Sequence, residues 1–355
     1  MRAIKFYVAD IHGIDWEGYK KTYAKFLPHI DNNHDFRELL SEMLGELNGS
    51  HTGARYYYSS GLNVGRLGVF FDPAHKGEGL KIKEVMKGGA LNIVDPEIKA
   101  GDLILAVDGK KISGDKNWYE HFKQLAGKRV SLTVKKGGKT VDMFVKFSSG
   151  DNYYKRWVEK REQMTKELSG GKIGYIHVQG MDSESFREVY QKALGKYKDC
   201  EALIIDTRHN GGGWLHDDLV TFLSGKEYFR FEPRGQYIGS DPYNKWRKPS
   251  CVLMGEDNYS NAHGFPYVYR DMGIGKLIGA PVPGTMTAVW WETQIDNTIV
   301  FGVPQVGCVG VKEGKYLENF QTEPDILVYN DPASTLEGKD KQLEAAVAEM
   351  LKTIK

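Results

Sequence analysis

The hydrophobic pattern changes period three times along the chain. In "DFRELLSEMLGELN", Phe36, Leu39, Leu40, Met43, Leu44 and Leu47 recur at helical spacing, which predicts an amphipathic helix with Asp35 as N-cap. Residues 15–48 thus read as two helices, the second stopped at Asn48-Gly49, with Ser50-His51 and the strand-like "GARYYY" following. From Val64 to Phe147 short β-type runs take over: "GRLGVFFD", "LKIKEVM", "DLILAVDGKKI" and "RVSLTVKKGGKTVDMFVKF". The last is two alternating strands around a Gly-Gly hairpin signal, and "KNWYEHFKQLAG" reads as a short helix. Residues 151–168 form a charged amphipathic linking helix. After Gly170-Gly171, strands and helices alternate: "KIGYIHVQGM", "DSESFREVYQKALGKY", "EALIIDTR", "WLHDDLVTFLSG", "PSCVLMG", a helix from Ser260, and "KLIGAPV". Such alternation predicts an α/β unit with a largely parallel sheet, whose active groups gather at the C-terminal ends of strands. "DTRHNGGG" and "GEDNYSNAHG" both fall at such ends.

Composition narrows the function classes. A chain of 355 residues favours two or three domains, and 41% hydrophobic with 27% charged residues supports a sizeable core. The 48 basic and 47 acidic side chains leave a net charge of +1, no electrostatic basis for nucleic-acid or anionic-membrane binding. Three cysteines without CxxC spacing argue against a disulfide framework or a zinc site. No apolar run reaches transmembrane length, and "MRAIKFYVADIHG" is not a signal peptide. The chain as it stands reads as cytoplasmic, and as periplasmic if a signal precedes it.

Four segments carry candidate chemistry. Ser260 begins a helix, where unpaired backbone N–H groups and the helix dipole favour a developing anion beside a nucleophile. The structural alternative is an N-cap serine. The "HNGGG" loop lets backbone N–H groups approach a ligand closely, and Gly211 and Gly212 are candidate oxyanion donors. It lacks the GxxxxGK[ST] spacing of a phosphate loop, since Trp214 follows, while a plain turn remains the alternative. Ser50-His51 sits in a loop after a helix stop, and Glu318 precedes a Pro-Asp turn in "YLENFQTEPDI". Taken singly, these read as surface residues. His263, three residues beyond Ser260, is the local rival for the role of base.

In combination the segments resemble known families. "AGDLILAVDG" and its flanks resemble a PDZ domain, in which "GRLGVFF" would cup a peptide C-terminus and accept an added strand. "SEMLGELNGSHTGARY", the PDZ-like insert, "ALIIDTRHNGGGWLHDDL", "GEDNYSNAHGF" and "YLENFQTEPDI" follow the order of tricorn proteases, within the wider family of C-terminal processing peptidases. The resemblance runs from about Ile14 to Pro332. It implies Ser260 as nucleophile, His51 as general base, Ser50 and Glu318 as its supports, and Gly212 with the N–H of Asn261 as oxyanion hole. The lysine of Ser-Lys processing peptidases is replaced by Thr285. The residue after the nucleophile, acidic in tricorn, is Asn261, which removes a basis for charge selection there. The β-propellers that precede this region in tricorn are absent, so the chain reads as a catalytic part or a compact relative.

The expected architecture is therefore α/β (α+β) and multidomain. An N-terminal helical part (1–63), an inserted PDZ-like β domain (64–148) and a C-terminal α/β serine peptidase core (149–355) follow one another. The expected function is cofactor-free hydrolysis of peptides or unfolded chains, with a homo-oligomer as candidate assembly because tricorn forms a hexamer. The rival is a catalytically silent PDZ-type peptide-binding protein on the same fold. A metal-dependent hydrolase finds no HExxH or comparable spacing among the ten histidines.

Overall fold

The computed structural model describes residues 13–58, 61–150 and 152–355, and the rest of the opening segment "MRAIKFYVADIH" lies outside them. The chain divides into two compact units: the part up to Tyr58 with Arg161–Lys355, and Ser59–Lys160.

In the first unit, helix α1 (Trp16–Ala24) is capped by Asp15, which accepts from the Gly18 N–H at 2.9 Å. Helix α2 (Asn33–Gly45) is capped by Asn32 rather than Asp35. Asn32 has the extended backbone a cap requires, and its Oδ1 accepts from the Asp35 N–H at 3.0 Å, placing the Asp35 carboxylate in the first turn where the dipole favours it. The helix ends at Gly45, short of the apolar repeat, yet Leu44 and Leu47 both pack against Trp16 and Val303. Strand β1 (Gly53–Tyr56) follows the Ser50-His51 turn.

The second unit is an antiparallel sheet. Strands β2 (Val69–Phe71), β3 (Leu80–Val85), β4 (Leu103–Val107), β5 (Lys110–Lys111), β6 (Arg129–Lys136) and β7 (Lys139–Lys146) take the order β2-β3-β4-β6-β7, with β5 on β4. Val130, Leu132 and Val134 of β6 alternate into its core with Met143 and Val145 of β7. Gly137 and Gly138 close the hairpin at φ 53° and 83°, values a side chain would resist at both turn positions. The expected helix at 118 is a short 3-10 turn, Trp118–Phe122. Strand β2 lies at the sheet edge, beside a cavity of about 450 Å³ lined by Leu67, Phe71, Trp118 and Phe122.

Helix α3 (Tyr153–Ser169) leads back to the first unit, whose main sheet is wholly parallel. Strands β8 (Ile173–His177), β9 (Ala202–Asp206), the small hairpin β10 (Phe229–Phe231) and β11 (Gly239–Asp241), then β12 (Ser250–Met254) and β13 (Lys276–Gly279) follow in sequence. The second sheet contains β14 (Thr287–Thr293) and β15 (Ile299–Gly307), ordered β1-β15-β14, and β16 (Val309–Gly310) pairs with β17 (Lys315–Tyr316). β18 (Ile326–Leu327) completes the main sheet as β18-β13-β12-β9-β8. Every residue of β8, β9 and β12 is buried, the expected state of a parallel sheet covered on both faces. The connecting helices are α4 (Ser183–Gln191), α5 (His216–Leu223) and α6 (Asn261–Asp271), followed by α7 (Pro332–Leu336) and α8 (Lys341–Thr353). Leu219, Phe222 and Phe265 from α5 and α6 pack with Ile205, Val252 and Met254 of the sheet.

Strands β9 and β12 are parallel neighbours, with Asp206 beside Leu253. The two loops that sequence placed at strand ends therefore emerge side by side.

Candidate active site

Buried polar groups fix the roots of both loops. Thr207 donates its N–H and its hydroxyl to Leu253 O at 2.9 and 3.0 Å, and Asn258 Nδ2 donates to Thr207 Oγ1 at 2.8 Å. The Tyr259 N–H donates to Asn210 O at 3.0 Å. Beneath them Arg208 joins Asp206 (2.6 Å) to Asp340 (2.9 Å), whose Oδ1 also caps α8 through Leu343 N at 3.1 Å. The two carboxylates hold the Arg208 guanidinium charged despite its burial, so the base of the glycine loop is pinned electrostatically.

Ser260 occupies the N-cap position of α6 but caps nothing with its side chain. Its backbone has φ 56° and ψ −123°, a left-handed conformation that costs a non-glycine residue about 1–3 kcal/mol. The turn persists because Ser260 N–H donates to Thr285 Oγ1 at 2.8 Å. Gly212 passes directly over it: a Cβ there would lie 2.6 Å from Ser260 Cβ and 2.8 Å from Tyr259 O. The serine side chain thus projects from a strained strand-to-helix turn, against a loop that only glycine permits.

His51 sits in the turn before β1, with φ 61°. Its Nδ1 lies 2.9 Å from Ser50 Oγ and 2.9 Å from Thr287 Oγ1, and Ser50 Oγ in turn donates to Glu318 Oε2 at 2.9 Å. Glu318 Oε1 accepts from the Ser50 N–H as well. Asn319 holds this segment in place through Asn48 O at 3.0 Å and Gly284 O at 2.8 Å. On the other side, the His51 N–H donates to the Tyr259 hydroxyl at 2.6 Å, and the two rings lie 4.8 Å apart. Burial, reinforced by the charge of Arg55, lowers the His51 pKa to about 4, so the imidazole is neutral at neutral pH.

His51 and Ser260 line one cavity of about 350 Å³, together with Gly211, Gly213 and Trp214. The Ser260 hydroxyl and the imidazole do not hydrogen-bond to each other; they face the same space. His263 lies elsewhere. It is fully buried; its Nδ1 accepts from Thr285 N at 3.3 Å and its Nε2 reaches Thr322 Oγ1 at 3.0 Å. An accepting Nδ1 fixes the proton on Nε2, and both nitrogens are occupied by the core. Burial lowers its pKa to about 4. The histidine nearest in sequence braces Thr285, which holds the Ser260 turn.

The two expected oxyanion donors differ. Asn261 opens α6, where the N–H has no intrahelical acceptor and Ser260 offers no side-chain cap, while the Asn261 side chain accepts from Leu215 N (2.8 Å) and His216 N (3.0 Å) at the start of α5. The Gly212 N–H donates to Asn210 Oδ1 at 2.9 Å. It must share or exchange that acceptor to reach a substrate.

Known proteins repeat this arrangement of segments. Residues 172–328 match peptidase family S41, residues 3–45 the tricorn protease C1 domain and residues 65–148 the tricorn protease PDZ domain. The chain joins an S41 peptidase region to tricorn-type C1 and PDZ domains. It is 27% identical to a tricorn protease homolog of Saccharolobus solfataricus, over 96% of this chain and 33% of that protein. It is 25% identical to the tricorn protease of Thermoplasma acidophilum, over 95% of this chain and 32% of that protein. A tricorn-like protease C-terminal subunit of Sulfurisphaera tokodaii is 28% identical, over 96% of this chain and 41% of that protein. The chain thus spans less than half the length of these relatives. A crystal structure of the tricorn protease superposes with a TM-score of 0.82 at 24% identity, over 95% of this chain and 34% of that one, which shows the shared fold.

In this tricorn-type chain, Ser50, His51 and Glu318 meet although 268 residues separate Ser50 from Glu318. Sequence reasoning missed Thr287, Tyr259 and Arg55. A threonine opening a strand and a tyrosine before a serine carry no local signal; only the folded register brings them to His51. Among the described residues no group of three or more His, Cys, Asp or Glu side chains could hold a metal ion, and no helix is long and apolar enough to cross a membrane.

Proposed function

We propose that the chain hydrolyses peptide bonds in peptides or unfolded protein chains, with Ser260 as nucleophile and His51 as general base. One observation carries this reading: the hydrogen-bonded line Glu318–Ser50–His51 ends in the cavity that Ser260 faces. Glu318 accepts the single hydroxyl proton of Ser50, so Ser50 Oγ is left to accept and His51 Nδ1 donates to it. That tautomer leaves Nε2 unprotonated, ready to take the Ser260 proton as Oγ attacks the carbonyl. The Asn261 N–H, with Gly212 once it turns from Asn210, supports the resulting oxyanion. His51 then protonates the leaving amine, and water repeats the sequence on the acyl-enzyme. The hydroxyl between base and carboxylate makes this a four-residue version of the triad logic.

Residues 1–63 and 149–355 supply the catalytic region, and residues 64–148 hold a substrate C-terminus along the β2 edge. Peptides with a free C-terminal carboxylate should then bind better than amidated ones. Equal titration of both forms would reduce that domain to a spacer. The catalytic assignment is tested with Ser260→Ala, which should keep the fold and lose several orders of magnitude in casein or fluorogenic-peptide turnover. Unchanged turnover excludes it and favours the silent peptide-binding alternative.

A further inference from the structure

The cavity that Ser260 and His51 share is electrically one-sided. Among the side chains that line it, none is acidic, and Arg55 is the single permanent charge. Arg55 forms no ion pair with a carboxylate among the described residues. Its position is nevertheless built. The guanidinium lies over the Trp291 ring, 3.7 Å from the centroid. Trp291 in turn lies flat on Gly302, where a Cβ would press on its ring carbons at 3.0 Å. Stacking of this kind fixes the guanidinium plane and leaves its edge N–H groups free for a planar anion.

The charge also works against the chemistry when nothing answers it. Arg55 disfavours the imidazolium that His51 must become, since two like charges repel, although burial of the His51 ring weighs more. A substrate anion on Arg55 would remove that repulsion at the step where the imidazolium forms.

We infer that Arg55, held on Trp291, is a specificity-determining residue that recognises a carboxylate of the substrate close to the bond being cut. The inference rests on the Ser260–His51 assignment. The carboxylate has two chemical sources: an Asp or Glu side chain, or the free C-terminus of a short peptide. Both present the same planar anion to the same fork.

The test compares kcat/KM at pH 8 for three sets of fluorogenic peptides. The first carries Glu scanned across the positions flanking the scissile bond, acetylated and amidated at the ends. The second replaces that Glu with Gln, and the third is the Gln set with a free C-terminus. The wild type should prefer either the Glu set or the free-acid set over the neutral set, on the order of tenfold to a hundredfold, as expected for a charge-assisted hydrogen bond. The set preferred identifies the source. Arg55→Met, which keeps an apolar chain on Trp291, should erase that ratio, and Arg55→Lys should restore only part of it. Circular dichroism of each variant excludes unfolding as the cause. A ratio near one in the wild type, or one that survives Arg55→Met, overturns the inference and leaves Arg55 as a packing residue, with the serine-peptidase reading intact. Absence of any peptide turnover by the wild type overturns both together.

Discussion

Two histidines compete on paper for the Ser260 proton, and their replacement separates chemistry from packing. His263→Ala removes a fully buried imidazole. Truncation of a large core side chain costs about 2–5 kcal/mol, and the Thr285 N–H stranded by its loss adds about 1–3 kcal/mol of desolvation. A combined loss of about 3–8 kcal/mol lowers Tm by at least roughly 6–12 °C for a folding unit of this size. Activity should fall only modestly, because Thr285 Oγ1 still accepts from the Ser260 N–H and is only loosened by the loss of its own backbone partner. His51→Ala should show the reverse. Its ring is half-buried in a surface turn, so the variant should unfold within about 1 kcal/mol of the wild type. Its kcat/KM should drop by about four orders of magnitude or more. Combining His51→Ala with Ser260→Ala should add little, because the two act as a unit, and Glu318→Gln should fall between His263→Ala and His51→Ala. The assay is peptide turnover beside a thermal melt for each protein. A His263→Ala protein that melts normally but is inactive, with His51→Ala retaining most of its kcat/KM, refutes the reasoning.

Three further outcomes follow from the same geometry. With the His51 pKa lowered to about 4, the acid limb of kcat/KM should lie far below the usual histidine range of about 6.5; Arg55→Met removes a positive charge, eases protonation and should move that limb to higher pH. His263 is likewise lowered to about 4, so its contribution to stability is complete above about pH 6.5 and declines as pH falls toward 4, where the unfolded chain binds the proton first; a rising midpoint in urea on acidification through that window would contradict this. Gly212→Ala places a Cβ 2.6 Å from Ser260 Cβ at φ +100° and should lose at least a hundredfold in turnover, whereas Gly211→Ala, with nothing within 4 Å, should leave the melting temperature unchanged.

Much of the fold was legible because its signals are local. Hairpin glycines at 137 and 138, the alternation of β6 and β7, and the strand–helix rhythm after residue 170 each act within a few residues. The helix cap shifted from Asp35 to Asn32 because several polar residues in "DNNHD" can cap, and backbone direction decides among them. The site was legible only in pieces. Ser260 and the glycine loop stand at strand ends, a place with physical meaning. Glu318 had almost no signal, since its approach to Ser50 depends on a segment that Asn319 ties to Asn48 across the fold. His263 was a rival on spacing alone: the helix side that carries it faces the core, and Thr322 and Thr285 occupy both ring nitrogens. The engagement of the Gly212 N–H by Asn210 was invisible too, since it arises from a side chain folding back two residues along its own loop.

The central claim is that Ser260 is a nucleophile activated by His51 from across the cavity. Its most direct measurement is labelling with a fluorophosphonate, followed by mapping of the adduct and its rate by mass spectrometry. The account predicts a single adduct on Ser260, formed by the wild type and by His263→Ala, and slowed by orders of magnitude in His51→Ala. An adduct on another residue, or labelling of Ser260 at an undiminished rate without His51, would contradict it.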